Sequence, residues 1–148
     1  MNRADGIDCY QKALRQGQRD YREKMNAGQS PFLPVLDDIL QNVPVENQIP
    51  LGQVEIPLEL LVGTKGRTAA FASNFMPLLG LKTEFATKWI NLCVSHLDEG
   101  IRDPITCYEY MGRFYVQEGN KRVSVLKYFD ASSITGNVTR VVPQYSDD

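Results

Sequence analysis

Between Ile105 and Phe129 the chain changes its repeat, and that change limits what it can build. Ile105-Thr106-Cys107-Tyr108-Glu109-Tyr110 and Arg113-Phe114-Tyr115-Val116-Gln117 alternate in strand fashion on either side of Met111-Gly112. Alternation gives an extended chain one apolar face, so the pair predicts an antiparallel hairpin across a tight turn. Directly afterwards Val123, Leu126 and Phe129 fall at helical spacing, which predicts a helix over 120–129. Gly119 stands at the switch, where a residue tolerant of positive φ lets the backbone turn from strand to helix.

Asn120, Lys121 and Arg122 open that helix. The first N–H groups of a helix have no intrahelical acceptor, and the dipole leaves partial positive charge there. A phosphate group satisfies both, and Lys121 and Arg122 can add charge-assisted bonds, Arg122 in bidentate fashion. The same string also fits an ordinary turn, with Asn120 as N-cap and two solvated cations.

Upstream, Ile7, Tyr10, Leu14, Tyr21 and Met25 recur at helical spacing with Arg15, Arg19, Asp20, Arg22 and Glu23 on the other faces. This predicts an amphipathic helix over 5–26, ending near Gly28. Pro31 and Pro34 break the pattern, and 35–40 predicts a short helix with Pro34 in its first turn. Residues 41–50, rich in Asn, Gln and Pro, read as a connector. A strand is expected mainly at Val54 to Ile56, ahead of Pro57, followed by a turn and a loop holding Gly63, Thr64, Lys65, Gly66, Arg67 and Thr68. Phe85, Trp89, Leu92, Cys93 and Leu97 define a helix over 84–99, with Thr83 as N-cap and Gly100 just past its end. His96 beside that stripe is given no role, and Trp89 is assigned to the core. After a turn at Gly136-Asn137, a last strand is expected at 138–142, stopped by Pro143, and the tail from Gln144 to Asp148 reads as the start of a linker.

The 148 residues suffice for one folded domain with its own core, and a net charge of −2 gives no general electrostatic footprint for nucleic acid. Cys9, Cys93 and Cys107 form neither a CxxC pair nor a Cys/His cluster, and three cysteines do not make a disulfide framework, so a reducing, cytoplasmic setting is expected. No apolar run is long enough to span a membrane, and no metal site is expected.

The order strand, loop, helix, Gly100-Ile101-Arg102-Asp103-Pro104-Ile105, hairpin, Glu118-Gly119-Asn120-Lys121-Arg122, helix, strand resembles the ParB/sulfiredoxin superfamily from about Leu51 to Pro143. The resemblance implies an α+β fold, a small mixed sheet with packed helices. It further implies a domain at 51–148 preceded by an N-terminal helical extension at 1–50. Members of that superfamily hold nucleotide phosphates at the second box. Carried over, this assigns phosphate contact to Gly119, Asn120, Lys121 and Arg122, with Arg102 and Asp103 beside them and Thr64, Lys65, Arg67 and Thr68 on a neighbouring loop. The implied ligand is a nucleoside triphosphate, ATP or CTP, with or without Mg²⁺.

The departures narrow the expected function. Sulfiredoxins carry a nucleophilic cysteine in the box where this chain has Asn120, which has no thiol, so sulfinic-acid reduction is not expected. Partition-type ParB proteins continue into a helical DNA-binding region that this chain does not show, so DNA is not supported as a partner of this chain alone. The leading expectation is a ParB-like domain that binds a nucleotide or another phosphate-bearing small molecule, as part of a larger or regulatory system. A phosphotransferase or nucleotidase using Glu118 or Asp103 as base or metal ligand is the alternative, which leaves open whether the chain is an enzyme. A third is an interaction module in which the N-terminal helix docks a protein partner or a second copy, although its Tyr10, Leu14 and Tyr21 are read first as packing on the chain's own core.

Overall fold

A computed structural model describes residues 2–144. Of the expected linker, 145–148 lie outside the described residues. Among the described residues the helices are α1 (Arg3–Asn26), α2 (Leu36–Ile39), α3 (Glu84–Asp98) and α4 (Asn120–Tyr128). The strands are β1 (Val45–Pro57), β2 (Leu61–Thr64), β3 (Ile105–Tyr110), β4 (Arg113–Glu118) and β5 (Ser133–Pro143), with a single 3₁₀ turn at Leu58–Leu60. The class is α+β, as expected. No helix among the described residues is long and apolar enough to cross a membrane.

Two compact units divide the chain. The sheet unit comprises Pro34–Arg67, Asp103–Gly119 and the described residues from Ser132 on, and carries all five strands and α2. The helical unit comprises the described residues up to Leu33, Thr68–Arg102 and Asn120–Ala131, and carries α1, α3 and α4.

In the sheet unit the strand order is β1-β5-β3-β4-β2, with β1–β5 and β3–β4 antiparallel and β3–β5 and β2–β4 parallel. The hairpin is where the alternation placed it. Met111 and Gly112 have φ of 53° and 81°, the pair of positive values that a type I′ turn requires. Glu109 braces it, one carboxylate oxygen accepting from Gly112 N–H at 2.9 Å and the other from Arg140 Nε at 2.7 Å.

Three strand expectations are corrected. The connector expected at 41–50 becomes strand from Val45, because β1 is an edge strand and needs no N–H from Pro50 on its open side. Its register with β5 shifts between Pro50 and Gly52, where Gly52 takes a φ of 72°. β5 begins at Ser133 and runs straight through Gly136-Asn137, where a turn was expected. A Cβ on Gly136 would lie 2.7 Å from Ile56 Cδ1 and 3.2 Å from Ile105 Cγ1, so glycine marks a close approach here. Finally, Gly63 and Thr64 belong to β2 and not to a loop, since β2 adds in parallel to β4.

The helical unit is built round Tyr10, Ala13, Met76, Ala86, Trp89, Ile90, Cys93 and Val125. The Tyr10 ring meets Trp89 edge-on at 5.3 Å between centroids, and Trp89 Nε1 donates to Ser124 Oγ at 2.9 Å. The buried face of α1 is Gly6, Tyr10, Ala13 and Gly17, a seam of mostly small residues that differs from the expected large apolar stripe. Met25, counted in that stripe, is 53% exposed because it lies two turns beyond the last seam residue. Thr83 caps α3 as expected, its hydroxyl accepting from Ala86 N–H at 3.1 Å, and Gly100 follows with φ of 85°. Leu97, counted in the expected stripe of α3, is exposed in the last turn and does not join the buried face. Pro34 lies ahead of the α2 cap residue Val35 and outside its first turn.

Candidate phosphate site

The expected site residues fall into both units. Asn120, Lys121 and Arg122 are the first three residues of α4, so Asn120 is inside the helix and the expected cap position passes to Gly119. Gly119 has φ of 110°, a backbone shape that a side chain would strain. The first turn of α4 contains no acid, whereas α1 carries Asp5 there, α2 Asp37 and Asp38, and α3 Glu84. Its dipole therefore meets no carboxylate from its own first turn. Lys121 and Arg122 are half-buried. The Lys121 ammonium stands 5.4 Å from the centre of the Phe85 ring of α3, a cation–π contact that positions the side chain. Arg102, just past α3, is exposed, and Thr68 turns its hydroxyl to accept from Ala70 N–H at 3.2 Å.

In the sheet unit, Asp103 and Glu118 come to the same end of the hairpin. Glu118 closes β4 opposite Thr106, and Asp103 lies in the bend three residues before Thr106; both are exposed. Thr64, by contrast, is buried, and its hydroxyl approaches the carbonyls of Gly66 at 2.9 Å and Val116 at 3.2 Å, so it stabilises the end of β2.

Asp37 and Asp38 of α2 face the loop that follows β2. Thr64 N–H donates to Pro34 O and Asp37 N–H to Lys65 O, which anchors α2 to the loop after β2. Lys65 Nζ then lies 3.2 Å from Asp37 Oδ1, and an Arg67 guanidinium nitrogen 2.8 Å from Asp38 Oδ2. The four charges cancel locally. Nothing in the local sequence signals this, because each pair spans 28 or 29 positions.

Cys93 and Cys107 are buried and poor nucleophiles. Burial pushes the Cys107 thiol up to about 12, and burial together with the neighbouring Cys9 does the same to Cys93. Among the described residues no group of three or more His, Cys, Asp or Glu side chains is arranged to hold a metal ion. Tyr10 is fully buried in the helical unit's own core, as expected.

A scan against protein-family models finds no match to this chain, and a search of curated proteins finds none. The chain is similar to a solved structure. That structure is sulfiredoxin from Arabidopsis thaliana, 22% identical, covering 58% of this chain and 82% of that one, with a TM-score of 0.40. The likeness concerns the fold alone, and no residue role is drawn from it.

Proposed function

We propose that the start of α4 binds the phosphates of a nucleoside triphosphate, ATP or CTP, and that the domain serves as the ligand-sensing part of a larger system. The observation that carries this reading is the combination at the strand-to-helix switch: Gly119 at φ of 110°, then an acid-free first helical turn bearing Lys121 and Arg122. Backbone N–H groups, dipole and two cations there all favour an anion. Arg122 supplies the bidentate contact, and Arg102 adds exposed positive charge in the same unit. Thermal unfolding with ATP, CTP and inorganic triphosphate, each with and without Mg²⁺, tests it. A rise in unfolding temperature with at least one nucleotide is expected. Arg122→Ala should weaken binding by about tenfold or more, the value of a hydrogen bond to a charged group. No response to any nucleotide refutes binding, and an unchanged response in Arg122→Ala moves the site off α4.

The placement of Asp103 and Glu118 at one end of the hairpin favours a second reading, phosphoryl transfer or nucleotide hydrolysis. Their oxygens are the hard donors that Mg²⁺ takes alongside phosphate oxygens. Release of phosphate or nucleoside diphosphate separates this from binding alone, and full activity in Glu118→Gln would remove that carboxylate from the mechanism.

A further inference from the structure

Away from α4, the helical unit has an open cavity of about 490 Å³ lined by Gln18, Tyr21, Arg22, Phe32, Leu78 and Leu79, with Ala69 at its edge. The size is that of a small-molecule site. Its body is apolar: Tyr21 and Phe32 meet edge to face at 5.8 Å between centroids, and Leu78 and Leu79 add aliphatic lining.

The walls are held by bonds that do not depend on an occupant. Tyr10 Oη donates to Leu79 O at 2.6 Å, Leu78 N–H donates to Ala70 O at 2.9 Å, and Ser73 N–H donates to Pro31 O at 2.9 Å beside Phe32. Gly17 lets the segment sit close on α1, since a Cβ there would lie 2.2 Å from Pro77 O. The cavity is therefore preformed.

Its polar groups come from one helix face. Gln18 precedes Tyr21 by three residues and Arg22 by four, so all three project to the same side of α1. The adjacent acid, Asp20, is engaged elsewhere: Lys24 Nζ lies 2.9 Å from one of its oxygens and Ser73 Oγ donates to the other at 2.5 Å. Arg22 thus brings a positive charge to the rim of an aromatic cavity, next to the donor amide of Gln18.

We propose that this cavity binds a small amphipathic carboxylate, its aromatic or branched apolar body between Tyr21, Phe32 and Leu78 and its carboxylate on Arg22 and Gln18. Charge complementarity selects the anion, because the guanidinium fork matches a carboxylate and the lining holds no acidic side chain.

The test uses 4-phenylbutyrate as probe and 4-phenylbutanol as its uncharged counterpart, followed by backbone amide NMR on the full chain. The acid is expected to shift the amides of Gln18, Tyr21, Arg22, Ala69 and Leu78, and the alcohol to bind several-fold more weakly. Arg22→Gln should abolish the preference for the acid while leaving the alcohol's affinity unchanged. Ala69→Trp, at an exposed edge position, should fill the cavity and abolish both responses with the unfolding temperature preserved. Equal binding of acid and alcohol, shifts confined to other residues, or no shifts up to the solubility limit of the probe would each overturn the proposal. So would amide shifts that follow protein concentration without probe, since a second copy would then occupy the cavity.

Discussion

Gly17→Ala in α1 sets two effects of opposite sign against each other. Helix propensity alone favours alanine over glycine inside a helix by about 1 kcal/mol. The packing opposes it: the new Cβ would lie 2.2 Å from Pro77 O, 3.1 Å from Pro77 C and 3.2 Å from Met76 O. Ordinary carbon–oxygen contacts lie at about 3.3–3.6 Å, so the shortfall is roughly 1 Å, and the obstacle is backbone. That backbone is fixed on its far side by the Phe71–Pro77 bridge and the Leu78 to Ala70 hydrogen bond. Relief requires α1 to move outward, which stretches the 2.6 Å bond from Tyr10 to Leu79 O. Overpacking costs about 1–3 kcal/mol, and backbone on both sides puts this site at the upper end. With about 1 kcal/mol more for the weakened hydrogen bond, packing outweighs propensity by about 2–3 kcal/mol. For a chain of this length that lowers the unfolding midpoint by roughly 5–10 °C. Thermal and urea unfolding followed by circular dichroism and Trp89 fluorescence measure it. Gly80→Ala is the control, since a Cβ there meets nothing within 4 Å. A Gly17→Ala protein as stable as the parent would refute the close approach of α1 to Pro77.

Two further outcomes follow from groups whose titration the fold has moved. Glu55 accepts from Ser133 Oγ and Thr135 Oγ1, both at 2.7 Å, and these bonds hold its carboxyl below the ordinary value. A depressed folded-state value means that the stabilisation is present above the unfolded carboxylate range and is lost as pH falls through the folded value. An NMR titration of Glu55 should show the depression, and Ser133→Ala with Thr135→Ala should remove it; an unchanged midpoint would discount both bonds. For Cys93 and Cys107, with thiols pushed up to about 12, alkylation at neutral pH should be slow in the native protein and fast in urea. Native-state labelling of Cys107 at the rate of a free thiol would contradict its burial.

The hairpin and α3 were legible because each announces itself locally. Met111-Gly112 separates two alternating runs, and Thr83 and Gly100 bracket a helical stripe. The edges of the sheet were not legible. β1 keeps most of its side chains exposed, so it lacks the alternation that burial imposes, and Pro50 and Gly52 imitate a connector. Gly136 looks like a turn residue until Ile56 and Ile105 crowd it from neighbouring strands. β2, four residues long, is strand only because β4 offers it a parallel edge. In α1 the seam was misread because glycine and alanine carry no hydropathic signal, although their small size is what seats the helix. At the candidate site the Gly119 switch was readable from the change of period, but the pairing of Lys65 and Arg67 with α2 depends on tertiary structure.

That pairing decides how much the loop can contribute to an anion. Neither pair is deeply buried, the side chains of Lys65 and Asp37 being 33% and 55% exposed and those of Arg67 and Asp38 78% and 53%. Exposed pairs of this kind are worth about 0–1 kcal/mol each, so a polyanionic ligand can displace Asp37 and Asp38 from the two cations. Asp37→Asn with Asp38→Asn removes the competitors and raises the local charge of the four groups from zero to +2. If Lys65 and Arg67 serve the phosphate ligand, the double variant binds a nucleoside triphosphate more tightly than the parent. The gain shrinks as salt is raised, because exposed charges are screened over about 10 Å at moderate ionic strength. Titration calorimetry at low and high salt reads both effects. Unchanged affinity at low salt would show that Lys65 and Arg67 take no part in binding the phosphate ligand.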